Sequence, residues 1–172
     1  ITTNGLLSAG IFGLGDLEAT NSGDIVTNGD GSAGIAALGK LELENNGNIT
    51  TNGIGSFGVA SGSDSSIINN GDIVTTGDVS GGILVIDLFG GSPEVVNNGN
   101  IRTSGFLAPG ILVIDPAGNA LIENYGHIET SGTGSFGIAA IGGGEVVNKG
   151  TVEARNAVAV VAVGPSDVTY YG

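Results

Sequence analysis

The apolar residues of this chain fall in short, mostly β-branched runs such as Ile83-Leu84-Val85-Ile86 and Ile111-Leu112-Val113-Ile114, separated by glycine-bearing stretches. Glycine interrupts every window of about ten residues and disfavours a helix by ~1 kcal/mol at each position, so the pattern predicts short strands and turns without helix. The runs also repeat. Aligned on the isoleucine that follows each Asn-x-Gly-x tetrad, the chain divides into seven units headed by Ile1, Ile25, Ile49, Ile73, Ile101, Ile128 and Val152, spaced by 24, 24, 24, 28, 27 and 24 residues. A unit reads Ile-x-Thr-x-Gly, then Ser-x-Gly-Ile, a variable stretch, an apolar residue and Asn-x-Gly. Such a unit is too small to bury its own apolar face, whereas stacked copies bury a continuous one. The expected fold is therefore all-β: a parallel β-helix (β-solenoid) of about seven coils of 24–28 residues, forming one domain over residues 1–172. At ~4.8 Å per coil the rod is roughly 34 Å long.

The columns give the stack its chemistry. Thr3, Thr27, Thr51, Thr75, Thr103 and Thr130 form one column, and Asn21, Asn45, Asn69, Asn97, Asn124 and Asn148 form the strictest polar one. An asparagine repeated at a buried bend can hand its side-chain amide to the carbonyl of the next coil, at ~1 kcal/mol net per bond. The glycine two residues later suits a corner with positive φ. The column before each isoleucine reads Asp24, Asn48, Asp72, Asn100, His127, Thr151, so no two aspartates stack directly. In-register stacking requires that spacing of like charges.

Charge and composition exclude several classes. Four Lys and Arg against 17 Asp and Glu give a formal net charge of −13, and Lys40, Arg102, Lys149 and Arg155 cannot assemble a basic patch for nucleic acid. With no cysteine, disulfides and thiolate metal sites are impossible. No apolar run approaches the ~20 residues of a membrane helix, so no membrane insertion by this segment is expected. Glycine, at 34 residues, is about three times its usual share, yet 40% of the chain is hydrophobic, which argues for a packed interior rather than disorder. The first residue is Ile1 and no leader is recognisable, so the chain reads as a piece of a longer repeat protein.

The tandem Asn-x-Gly-x-Ile-x-Thr-x-Gly…Ser-x-Gly-Ile units, best developed in Asn45-Asn46-Gly47-Asn48-Ile49-Thr50-Thr51-Asn52-Gly53, resemble the passenger-domain repeats of bacterial autotransporters over about residues 1 to 155. The resemblance implies a right-handed β-helix displayed at the cell surface or outside the cell by Gram-negative-type export. The last unit departs from the pattern: Arg155-Asn156-Ala157 replaces Thr-x-Gly and no Asn-x-Gly closes it, so residues 152–172 are expected to be a degenerate last coil or cap.

Candidate chemistry is sparse. Asp87 and Asp115 share a column in the two longest units, where stacking sets their backbones ~5 Å apart. That spacing suits a shared hard cation or a retaining glycosidase pair; equally, each aspartate caps a turn, and Pro116 after Asp115 fits the turn. Leu88, Phe89, Pro93, Pro116 and Asn119 lie in the long loops that follow and are the candidate recognition residues. Leu88-Phe89 and Phe106-Leu107 are expected either to form a sticky patch near those loops or to fold down over the rod. Three G-x-G-x-x-G stretches, starting at Gly29, Gly53 and Gly132, lack the following helix that a dinucleotide site needs and read as corners, and no cofactor is expected. His127, the only histidine, has no serine–acid partnership in the pattern and reads as a corner residue. An ice-binding threonine face fails because the outward column runs Thr2, Val26, Thr50, Val74, Arg102, Glu129, Glu153; that column instead predicts an Arg102–Glu129 ion pair.

The expected function is that of an extracellular structural or adhesive segment without enzymatic activity. Its expected partners are copies of itself, end to end or lateral, or a cell-surface protein or glycan. A self-assembling filament subunit and a polysaccharide-active enzyme using Asp87, Asp115 and Glu94 are the alternatives.

Overall fold

The computed structural model describes residues 1–171. They form a three-sided β-solenoid of seven coils, each coil contributing one strand to each of three seven-stranded sheets. Sheet 1 contains Thr2–Thr3, Ile25–Thr27, Ile49–Thr51, Ile73–Thr75, Asn100–Thr103, His127–Thr130 and Thr151–Ala154. Sheet 2 contains Ile11–Gly13, Ile35–Ala37, Val59–Ser61, Ile83–Ile86, Ile111–Ile114, Ile138–Ile141 and Val160–Val163. Sheet 3 contains Leu17–Asn21, Leu41–Asn45, Ser66–Asn69, Glu94–Asn97, Leu121–Asn124, Gly144–Asn148 and Ser166–Tyr170. Every pairing is parallel and in register, with Ile73 opposite Ile49 and Ile101, and Asn97 opposite Asn69 and Asn124. The last unit, despite its divergent sequence, supplies all three strands in register; Gly172 lies outside the described residues.

Strand alternation sends one set of columns inward. Ile25, Ile49, Ile73, Ile101 and Ile128 from sheet 1 meet Ile35, Val59, Ile83, Ile111 and Ile138 from sheet 2 and Leu43, Ile67, Val95, Ile122 and Val146 from sheet 3, all buried. These ladders fill the prism and exclude water from the second coil to the sixth, while Ile11, Leu17, Val152 and Val160 in the end coils are only partly buried.

Polar columns line the core as well, and their partners come from the stack. Each buried asparagine donates its Nδ2 to the Oδ1 of the next coil, from Asn21 through Asn148, at 2.7–2.8 Å. From Asn45 onward each Nδ2 also donates to the carbonyl of the glycine two residues ahead. The threonine column points inward, and Thr51 and Thr75 donate to the Ser56 and Ser80 carbonyls at 3.1 Å. Among the described residues the Thr27 hydroxyl alone is a buried side-chain polar atom without a partner.

The asparagine-corner glycines differ from expectation. Positive φ falls elsewhere, at Gly31, Gly55 and Gly134 among others. What bars a side chain at Gly47, Gly71 and Gly126 is the preceding coil: an added Cβ would lie 2.0–2.1 Å from the glycine carbonyl oxygen beneath it. The constraint is stacking distance, not torsion.

Candidate functional site

The corner between sheets 2 and 3 changes length from coil to coil, while the other two corners keep theirs until the last unit. It holds the two long loops. Asp87 leaves its strand fully buried, and its own loop occupies both carboxylate oxygens: Phe89 N–H donates to Oδ1 at 3.0 Å and Gly91 N–H to Oδ2 at 2.5 Å. Asp115, one coil on, does the same with Ala117 N–H at 3.0 Å and Asn119 N–H at 2.7 Å. Pro116 opens a turn that Gly118 N–H closes on the Asp115 carbonyl at 3.0 Å. Each carboxylate is thus a clamp that folds its own loop, as a turn-capping aspartate does. Among the described residues no three His, Asp or Glu side chains converge as metal ligands.

The two loops form one unit. Asn119 Nδ2 donates to the Gly91 carbonyl at 3.2 Å, and Leu121 N–H donates to the Pro93 carbonyl at 2.9 Å. Asp64, in the coil before, accepts Ser92 N–H at 2.9 Å. Leu88 is 62% and Phe89 85% exposed, at the tip of this knot. Phe106 and Leu107 are exposed too, but not beside it. They precede the Ile111–Ile114 strand, whereas Leu88 and Phe89 follow Ile83–Ile86, so the two pairs flank sheet 2 on opposite sides.

The glycine-rich stretches build the corner between sheets 1 and 2, and each glycine has its own cause. In Gly53-Ile54-Gly55-Ser56-Phe57-Gly58, a Cβ on Gly53 would sit 2.0 Å from the Gly29 carbonyl oxygen; Gly55 has φ +65°; and a Cβ on Gly58 would sit 2.4 Å from Ile73 Cγ2. In three coils the left-handed position is filled by Leu7, Val79 and Leu107, at φ 54°, 55° and 50°. The serine of this corner forms a second buried ladder whose job the sequence reading did not assign. Ser56 Oγ donates to the Gly29 carbonyl at 3.0 Å and accepts Ser32 N–H at 3.0 Å. Ser80 and Ser135 repeat the bond to the coil below. In the fifth coil Ala108 takes the place and has no hydroxyl to offer.

The outer columns give the three flanks different chemistry. On sheet 1, Asn48 and Asn100 donate to Asp24 and Asp72 at 3.0 and 2.8 Å, so the alternation of amide and acid becomes a set of hydrogen bonds. His127 stands next in that column, between Asn100 and Thr151. Arg102 Nε pairs with Glu129 at 3.3 Å as the spacing required, and Arg155 reaches the same carboxylate from the next coil. Sheet 3 carries Glu18, Glu42 and Glu44 at one end, with Lys40 paired to Glu42 at 2.7 Å. Beyond the asparagine corner, Lys149 lies over the Tyr125 ring at 4.7 Å and within 5.8 Å of Tyr171; its hydrogen bond to the Tyr125 hydroxyl holds its ammonium above the usual lysine range. The outward columns of sheet 2 carry no charged or polar side chain: Leu84, Leu112, Ile86 and Ile114 occupy their middle.

The chain is therefore a β-solenoid repeat protein with three chemically distinct flanks. Comparison with known proteins returns no matching family model, no curated relative and no similar solved structure.

Proposed function

We propose that this chain is a rigid adhesive segment of a surface-displayed repeat protein of the autotransporter passenger type, positioned at the cell surface or outside the cell, where it touches a protein or glycan of another surface. The observation that carries the reading is the knotted loop pair at Asp87–Pro93 and Asp115–Ala120, which presents Leu88 and Phe89 to solvent from a scaffold whose other corners repeat. Binding residues are commonly carried on loops held by a rigid frame. The in-register ladders supply that frame, since a coil cannot open without breaking bonds to both neighbours.

The test is adhesion of beads coated with the chain to cultured cells and to immobilised glycans. Coated beads should bind above protein-free beads, and the Leu88→Ser/Phe89→Ser variant should lose most of that binding at an unchanged unfolding midpoint. Binding that survives the variant removes the loops from the reading; coated beads that adhere no better than bare ones remove the adhesive role.

A further inference from the structure

We infer that the outer flank of sheet 2 is a docking surface for a second copy of this chain, related by a two-fold axis that lies in the interface, parallel to the strands and perpendicular to the rod. The flank runs the length of the rod and is apolar throughout. Its central column reads, coil by coil, Phe12, Ala36, Ala60, Leu84, Leu112, Ala139, Val161. Exposed Leu7, Val79 and Leu107 on one side and Leu88 and Phe89 on the other widen it.

The relief of the column matches itself. Ala36 and Ala60 form a hollow, and Leu84 and Leu112 form a ridge of the same length directly after it. An isologous interface pairs residue i of one copy with j of the other and j with i. Reversing the rod sets Leu84 against Ala60 and Leu112 against Ala36, while Phe12 falls over the sixth coil, where Ala139 is already buried by its own neighbours. Two bulky residues thus each meet a small one, twice over by symmetry. Sheets stacked face to face pack ~10 Å apart with interdigitated side chains, which this pairing allows.

Charge and area favour a second copy over other occupants. With a net charge of −13, copies of this chain repel one another except where no charge is presented, and sheet 2 is that flank. A basic partner would be drawn to the glutamates of sheet 3 instead, and an anionic bilayer is repelled by all of them. In that register six of the seven coils overlap, and six strands at ~4.8 Å by about 17 Å of chain give roughly 500 Å² per copy, or ~1,000 Å² per pair, the least that a specific interface needs. Backbone strain points the same way. Leu7, Val79 and Leu107 hold left-handed torsions that glycine fills elsewhere and that strain an L side chain, while leaving apolar side chains in solvent. Folding alone would favour glycine there; a partner surface gives those side chains a use.

The inference deepens the adhesive reading but is tested apart from it, in solution rather than on cells. Sedimentation velocity of the whole chain from micromolar to millimolar concentration should give a reversible monomer–dimer equilibrium. Leu84→Glu/Leu112→Glu, which changes only outward residues, should stay monomeric throughout with an unchanged far-ultraviolet spectrum. The register is checked independently in this cysteine-free chain: a short bis-maleimide, which spans the ~10 Å between facing sheets as a disulfide does not, should join Ala36→Cys/Leu112→Cys into a covalent dimer and should not join Ala36→Cys alone. A wild-type chain that remains monomeric, a dimer indifferent to the glutamates, equal crosslinking of both cysteine variants, or uptake onto phosphatidylcholine vesicles in place of dimerisation overturns the proposal. Adhesion of coated beads without a dimer would sink the interface and leave the loop reading standing; a dimer without adhesion would do the reverse.

Discussion

The asparagine corner and the aspartate corner solve one problem, the buried polar turn, in opposite ways. Asn69 accepts from Asn45 below and donates to Asn97 above, and these two bonds exist only while the coils stay in phase. Asp87 takes both its partners from Phe89 and Gly91, inside its own loop. The first arrangement forbids insertion at its corner: an extra residue would orphan amides in two neighbouring coils. The second permits it, because the buried carboxylate finds its donors within its own loop whatever the length of the loop in the coil above. Length variation is accordingly concentrated at the corner of the self-sufficient carboxylates, which is also where Leu88 and Phe89 are free to face solvent.

Removing one residue of each kind tests the difference. Asn69→Ala leaves the Asn97 Oδ1 without its donor, the Asn45 amide without one acceptor, and the Gly71 carbonyl unpaired. Stability should fall by about 2–3 kcal/mol, read as a lower urea midpoint with an unchanged slope. Asp87→Ala frees two amides next to exposed loop residues that water can reach, so the global loss should be about 1 kcal/mol. Limited proteolysis should then cut between Leu88 and Pro93 first. Equal losses from the two variants would mean that the loop is as deeply coupled to the stack as the ladder.

The stack itself was legible because it rests on repetition. Seven isoleucine heads and six asparagines at matching spacings predict in-register pairing without any knowledge of torsion, and the Arg102–Glu129 pair follows from the same arithmetic. What resisted was whatever a column changes midway. Leucine and valine at the left-handed corner carry no signal of positive φ, since the strain lies in a position shared with glycine rather than in the residues themselves. Asp16, Asp30 and Asp78 accept amide N–H groups from the next coil, standing in for backbone carbonyls, yet they read only as negative charge. The apolar flank was hidden for a different reason. Its residues alternate with core residues in the same hydrophobic run, and in Ile83-Leu84-Val85-Ile86 nothing in composition distinguishes the two that face out.

The serine ladder offers the converse experiment, repair of a neighbour-dependent column. At Ala108 the hydroxyl is missing, so the Ser80 amide below lacks the acceptor that Ser56 gives to Ser32. Ala108→Ser puts that oxygen back, within reach of the Gly77 carbonyl as well, in a corner that already holds serine in other coils. We expect a gain of about 1 kcal/mol. An unchanged midpoint would show that water already occupies the gap.

The exposed ion pairs set the lower bound of what stacking contributes. Glu129 binds Arg102 from the coil below and Arg155 from the coil above, so it is as neighbour-dependent as Asn69, but both arginines are more than half exposed. Water can replace either partner, and exposed pairs of this kind contribute at most ~1 kcal/mol. Glu129 also lies in register with Glu153, whose charge offsets part of the attraction. Glu129→Gln should therefore lower stability by about 0.5 kcal/mol at low ionic strength, and the difference should vanish in ~1 M salt, where screening acts within ~3 Å. A loss that persists in high salt would place this carboxylate out of reach of solvent, and cross-coil bonding would then matter on the outer surface as much as in the core.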